Sequence, residues 1–258
     1  MHVRQLTDKQ EILDYLETDR CYAAYAIGDL EPELFAHSQW AGAHEDGQVR
    51  AIALLYQGLD PPALLLMGEP SGLTGVLRLK MRPSRVYLTC QQHHLPVVQT
   101  FYRTEPPTRM WRMSLQPGDF RPVPLPEVAA LSPRHTDALR RLYAQGGGLA
   151  FSPTQLATGV FYGVSDRGRI VAAAGTHLIS PNYGIGAVGN VYTEEAYRGC
   201  GYGTATTSAV VTELLGRGIR NIILNVAQVN TTAIRIYERL GFTKYCPFLE
   251  MLAQRRYS

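Results

Sequence analysis

Residues 198–204, Arg-Gly-Cys-Gly-Tyr-Gly-Thr, constrain this chain more than any other stretch. An apolar, β-prone segment at 187–192 runs toward them through a short polar loop. A helical run follows, with apolar residues at Ala205, Ala209, Val210 and Leu214. A strand, a glycine-rich turn and a helix in that order aim several backbone N–H groups at one point. The N-terminal end of the helix dipole adds partial positive charge there, so the turn is an anion site. Glycine suits such a turn because positive φ and close approach of a ligand both exclude a Cβ. The spacing is neither GxxxxGK[ST] nor GxGxxG, which removes the usual support for a nucleotide P-loop or a dinucleotide fold.

The sequel sharpens the reading. Residues 222–242 alternate as a strand, a break at Asn230, a helix and a Gly-Phe pair. Two patterns then stand about 25 residues apart: Arg198-x-x-Gly201-x-Gly203, and Leu224-x-Val226-x-x-x-Asn230-x-x-Ala233-Ile234-x-Ile236-Tyr237-x-x-Leu240-Gly241-Phe242. Together they resemble the GCN5-related N-acetyltransferase (GNAT) superfamily, whose acyl-CoA pyrophosphate loop reads [QR]-x-x-G-x-[GA]. The likeness covers roughly residues 126–250.

The resemblance implies an acyl-CoA acyltransferase with an α/β fold, a mixed sheet carrying helices on both faces. It implies acetyl-CoA as co-substrate, bound by the loop Arg198, Gly199, Cys200, Gly201, Tyr202, Gly203 and Thr204. The strand residues Asn190, Val191 and Tyr192 would meet the acyl carbonyl and pantetheine arm, and Asn230 would touch that arm while capping its helix. Tyr237 matches the family tyrosine that protonates the departing thiolate. Many members place a glutamate eleven residues before the loop arginine; here that position is Ala187, and no acid lies between Tyr183 and Tyr192. His177, on the preceding strand, is the best-placed titratable side chain, with an ordinary pKa suited to a general base. A water relay or a first-half residue such as Asp29 is an alternative base. Cys200, at a helix N-terminus, has no His or Asn at a spacing that would make it a nucleophile.

Composition narrows the class. Of 258 residues 45% are hydrophobic and 18% charged, enough for packed cores and unlike a disordered chain. Net charge is +3, carried by scattered arginines with only Lys9, Lys80 and Lys244 as lysines, which argues against nucleic acid as a partner. Cys21, Cys90, Cys200 and Cys246 show no metal-ligand spacing, so neither a metal nor a disulfide framework is expected. No apolar run, 63–67 included, is long enough to span a membrane, and a cytoplasmic protein is expected.

Two domains are expected: 1–118, a smaller degenerate GNAT-like α/β unit, and 119–258, the acetyltransferase unit. Five prolines between 117 and 133 put the linker at about 116–126. In the first half, Thr7 is read as the cap of a helix with Ile12, Leu13 and Leu16 inward, and a second helix spans 21–30. Residues 41–47 read as turn-rich, 49–56 and 63–67 as strands, 72–80 as a helix, and 85–89 and 110–115 as strands. No second [QR]-x-x-G-x-[GA] occurs before residue 120. In the second half, strand 127–131 leads to a helix opened by Ser132-Pro133 and stopped by Gly146-Gly147-Gly148. Ser152-Pro153-Thr154-Gln155 is a capping-box pattern, and Asp166-Arg167-Gly168 a hairpin turn. The expected reaction is acetyl transfer by direct attack of a primary amine, on a small molecule or peptide. A non-catalytic acyl-CoA-binding protein and a glycine-type amino-acid N-acyltransferase are the alternatives, and a homodimer is an admissible assembly.

Overall fold

The computed structural model describes residues 1–125, 127–146 and 151–256. In chain order the elements are β1 (His2–Leu6), α1 (Lys9–Leu16), α2 (Ala24–Gly28), α3 (Pro32–Phe35), β2 (Ser38–Glu45), β3 (Gln48–Tyr56), β4 (Ala63–Gly68), α4 (Pro70–Leu79), β5 (Arg85–Cys90), α5 (Leu95–Phe101), β6 (Tyr102–Thr104) and β7 (Thr108–Leu115). There follow β8 (Val128–Ala130), α6 (Thr136–Tyr143), α7 (Pro153–Thr158), β9 (Phe161–Asp166), β10 (Arg169–Ser180), β11 (Ile185–Thr193), α8 (Tyr202–Gly216), β12 (Asn221–Ala227), α9 (Thr231–Arg239) and β13 (Thr243–Arg255). Met1–Trp111 with Cys246–Ser258 makes one compact unit, and Arg112–Tyr245 the other. No helix among the described residues is long and apolar enough to cross a membrane.

In the first unit β1, β2, β3 and β4 pair antiparallel in sequence order, and β4 pairs parallel with β5. One face buries Ala51, Ala53, Leu64, Leu66 and Leu88 under α4, whose Leu73, Val76 and Leu77 recur at helical spacing. Each of the buried leucines and valines among them stabilises the unit by about 1.5–3 kcal/mol. From Cys246 onward the last strand belongs here: Leu249–Gln254 pair antiparallel with Cys90–Arg85. The sequence reading had attached these residues to the second domain, because a strand's neighbour is chosen by register rather than by proximity in the chain.

The second unit repeats that order. β8, β9, β10 and β11 are antiparallel neighbours, and β11 is parallel to β12. Leu139, Leu142 and Tyr143 of α6 pack with Phe161, Ile170 and Ala173 on one face. α8 lies against β9, β10 and β11 with Ala205, Val210, Val211 and Leu214 buried. Two units built on one strand order, each mixing helices with a mixed sheet, are the α/β arrangement expected.

Local signals performed well where a side chain fixes them. Ser152 and Gln155 form the capping box before α7. Asp166 and Arg169 pair across a two-residue turn in which Arg167 and Gly168 have φ of 48° and 77°. Other readings need correction. Asp8, not Thr7, caps α1, accepting from the N–H groups of Gln10 and Glu11. Residues 41–45, read as turn-rich, lie in β2: Ala41, Gly42 and Ala43 pair with β1 on one side and β3 on the other. Small residues have weak strand propensity, and here the two neighbours decide. Ser132-Pro133 opens a 3-10 turn through His135 before α6 begins. Gly147 and Gly148 of the expected helix stop, and Pro126 at the edge of the expected linker, lie outside the described residues.

Candidate active site

β11 and β12 pair from Ile185–Asn221 to Val188–Leu224, yet β11 continues to Thr193 and β12 to Ala227. Beyond Val188 and Leu224 no further pair joins the two strands among the described residues.

Two bulges shape β11 at this point. On β10, Ala173 and Gly175 pair with Tyr192 and Gly189, so β11 carries an extra residue within 190–191. Asn190 there has φ 51°, a left-handed conformation that asparagine tolerates better than most residues. The second bulge is on β10: Thr176 and Leu178 pair with Val188 and Ala187, and His177 is the extra residue.

Side chains hold the kink. Tyr143 Oη donates to the Asn190 carbonyl at 2.6 Å, and Asn190 Nδ2 donates to Gln155 Oε1 at 3.2 Å. Gln155 Oε1 also accepts from the Ser152 N–H at 3.0 Å, tying the strand to the α7 cap. Asn190 hydrogen-bonds His177 as well. Burial pulls the His177 pKa down to about 4 against that bond, so the ring is neutral at ordinary pH. The expectation of a base poised near neutrality is therefore corrected. A lone strand position carries no signal of the desolvation that its fold imposes.

Past Thr193, a short 3-10 turn at Glu195–Tyr197 leads into the glycine loop. Glu194 is bound by Arg169 at 2.8 Å and is only 9% exposed. Gly199 and Gly201 both have φ 82°, and Gly201 occupies the N-cap of α8 with no side-chain cap hydrogen bond. The Ala205 N–H is the first to bond back, to the Gly201 carbonyl at 3.0 Å. The N–H groups of Tyr202, Gly203 and Thr204 thus have no acceptor within the helix. A Cβ on Gly199 or Gly201 would meet nothing within 4 Å, so the requirement there is conformational. Arg198 Nε donates to the Thr193 carbonyl at 3.3 Å and braces the loop against the strand end. Cys200 is exposed.

β12 leads to Asn230, whose Oδ1 accepts from the Ala233 N–H at 3.1 Å and caps α9. Tyr237 faces inward, 6% exposed, with its ring edge-on to Phe242 at 6.1 Å. Burial pushes its phenol up to about 12, so it stays protonated across the physiological range. Sequence reasoning had not selected Tyr143 or Gln155. Both were legible only as a core residue and a cap, and their polar ends meet Asn190 through tertiary packing.

The first unit repeats the frame without this site. β4 ends at Gly68 and α4 starts at Pro70, with Glu69 between them, where the second unit has eight residues from 194 to 201. Proline at the first helical position also removes an N–H. Past the last β4–β5 pair at Leu65–Thr89, the Leu66 carbonyl accepts from Tyr22 Oη at 2.8 Å. The Gly68 carbonyl lies 2.8 Å from His94 Nε2. Side chains of the unit itself take the backbone groups there.

Residues 129–242 match the model of the acetyltransferase (GNAT) family. A mycothiol acetyltransferase of Amycolatopsis mediterranei is 35% identical over 91 residues, which are 33% of this chain and 30% of that protein. One of Thermobispora bispora is 41% identical over 63 residues, 23% of this chain and 21% of that protein. The chain thus spans less than a third of the length of these curated relatives. Among solved structures, a tandem GNAT protein from the clavulanic acid biosynthesis pathway matches all of both chains, with a TM-score of 0.59 and 13% identity. At that identity the likeness is one of fold. Residues 129–242 are a domain of the acetyltransferase (GNAT) family.

Proposed function

We propose that the second unit transfers an acetyl group from acetyl-CoA to a primary amine of a small molecule or peptide. The observation that carries the reading is the uncapped N-terminus of α8 beside the open end of β11 and β12. The first-turn N–H groups and the loop 198–204 suit a pyrophosphate, and Arg198 holds the loop in place. N–H groups on Asn190, Val191 and Tyr192 suit the thioester oxygen as it gains negative charge. The amine forms the new N–C bond, the C–S bond breaks, and Tyr237 donates its proton toward the departing thiolate. A phenol near 12 is a reluctant donor to a thiol with an ordinary pKa near ~8.5. Desolvation in the same recess raises the thiol's pKa too, which narrows that gap.

His177 is better suited to positioning than to proton abstraction. A neutral ring with its pKa near 4 holds Asn190 and the strand kink, and the proton lost by the amine passes to water. The acceptor's class follows the family; the relatives' name points toward mycothiol-type amines. Localisation in the cytoplasm and a homodimer remain parts of this proposal.

A second reading, acyl-CoA binding without turnover, is favoured by Ala187 at the family glutamate position together with the low pKa of His177. One experiment separates them. Acetyl-CoA is titrated calorimetrically into the protein and into a variant with Gly201→Asp and Gly203→Asp, followed by an acetyl-transfer screen across amines. Binding lost in the variant, with transfer to an amine, supports the enzyme. Binding without transfer supports the second reading, and no binding to any acyl-CoA removes both.

A further inference from the structure

The glycine loop of the second unit runs between two tyrosines whose side chains the acetyl-transfer reading does not use. Gly199 and Gly201 supply positive φ, but a Cβ on either would meet nothing within 4 Å, so no packing at those positions fixes the loop. Glycine is also the residue with the most backbone freedom to lose. A phosphate-binding turn offers several N–H groups at once, and a turn that is unordered beforehand loses affinity to the entropy of ordering. Order in 198–201 therefore has to come from its two ends.

Both ends are tied to the same patch of sheet. Tyr197 and Tyr202 pack against the buried cluster of Val164 on β9 and Val171 and Ala172 on β10. Tyr197 Oη donates to Asp166 Oδ2 at 2.6 Å, a separation typical of a hydroxyl on a carboxylate. Asp166 ends β9, and its register partner across the hairpin turn is Arg169. Arg169 Nη1 in turn donates to Glu194 Oε1 at 2.8 Å. The backbone follows the same path: the Glu194 N–H donates to the Val171 carbonyl and the Tyr197 N–H to the Glu194 carbonyl, both at 2.9 Å. One hairpin pair, Asp166 and Arg169, thus holds the approach to the loop at two side chains. The bond to Tyr197 lies nearer the glycines, one residue before Arg198.

We propose that Tyr197 is a positioning residue for the acyl-CoA pyrophosphate. Its bond to Asp166 fixes the entry to 198–201, so the first-turn N–H groups of α8 converge before the ligand arrives. The phenol acts through the backbone and not on the ligand. The proposal rests on the reading that this loop binds acetyl-CoA.

The test is calorimetric titration of acetyl-CoA into the full chain and into Tyr197→Phe, Asp166→Ala, the double variant and Asp166→Asn, each confirmed folded by a thermal melt. Tyr197→Phe keeps the ring on its apolar patch and removes only the hydroxyl. The Kd should rise about 3–10-fold in Tyr197→Phe and in Asp166→Ala, as for one lost hydrogen bond. The double variant should be no weaker than either single one, because both remove the same bond. Asp166→Asn keeps an acceptor for the phenol, so its loss should be smaller than that of Asp166→Ala. Should Asp166→Ala fail to fold, Tyr197→Phe compared with Asp166→Asn decides the matter. With the parent chain binding, an unchanged Kd in folded Tyr197→Phe, or losses that simply add in the double variant, overturns the proposal and leaves the acetyl-CoA reading standing. No binding by the parent chain overturns that reading, and the proposal with it.

Discussion

The imidazole of His177 stands over Gly189: a Cβ added to that glycine would lie 2.3 Å from Nε2 and 2.4 Å from Cε1. The two residues sit on adjacent strands at the point where both strands bulge. Gly189 is therefore a packing requirement of the ring that braces Asn190.

Replacing Gly189 by alanine should force the ring or the strand to shift, at a cost of about 1–3 kcal/mol. A thermal melt should show the loss. Adding His177→Ala to Gly189→Ala should recover part of it, and strictly additive losses would count against this contact.

The low pKa of His177 sets an acid limit. The folded chain binds this proton less tightly than the unfolded chain, whose imidazole titrates near 6.5. The ring's contribution to stability is therefore complete above about pH 6.5 and is lost as pH falls toward about 4. His177→Asn should flatten that portion of a stability-against-pH curve. For the proposed reaction, kcat/KM should follow the free-amine fraction of the acceptor, with no inflection from this ring between about pH 5 and 8.

Tyr237→Phe removes one buried hydroxyl and keeps the ring against Phe242. Under the proposed mechanism kcat should fall about 10²–10⁴-fold, the range for loss of a general acid. The Kd for acetyl-CoA and the melting temperature should change little. A fall in affinity with kcat retained would assign Tyr237 to binding.

Asp29 gives the opposite pH signature. Its carboxyl sits near 8 in the folded chain against an ordinary 3.8, so the folded state holds this proton more tightly. Stability from this group is full below about pH 4 and is lost as pH rises toward about 8. Asp29→Asn should be more stable than the parent chain at about pH 8–9. The gap should narrow toward about pH 4 in urea melts read across that range.

What the sequence determined by itself is local. Gly199 and Gly201 adopt positive φ, where glycine alone carries no Cβ penalty, and that preference is visible in the letters. Asn230 caps α9, Ser152 and Gln155 cap α7, and Arg167-Gly168 turns the hairpin, each through chemistry confined to a few neighbours. The order of strands, loop and helices around Tyr237 was legible for the same reason. Tertiary structure alone decided the rest. Whether residues 41–45 turn or extend depends on two strands that flank them, and the partner of residues 249–254 lies more than 150 residues away at 85–90. Ionisation followed the same division. Desolvation is set by every atom packed around a group, so His177 and Asp29 moved in opposite directions from ordinary values that their sequence neighbours gave no cause to doubt.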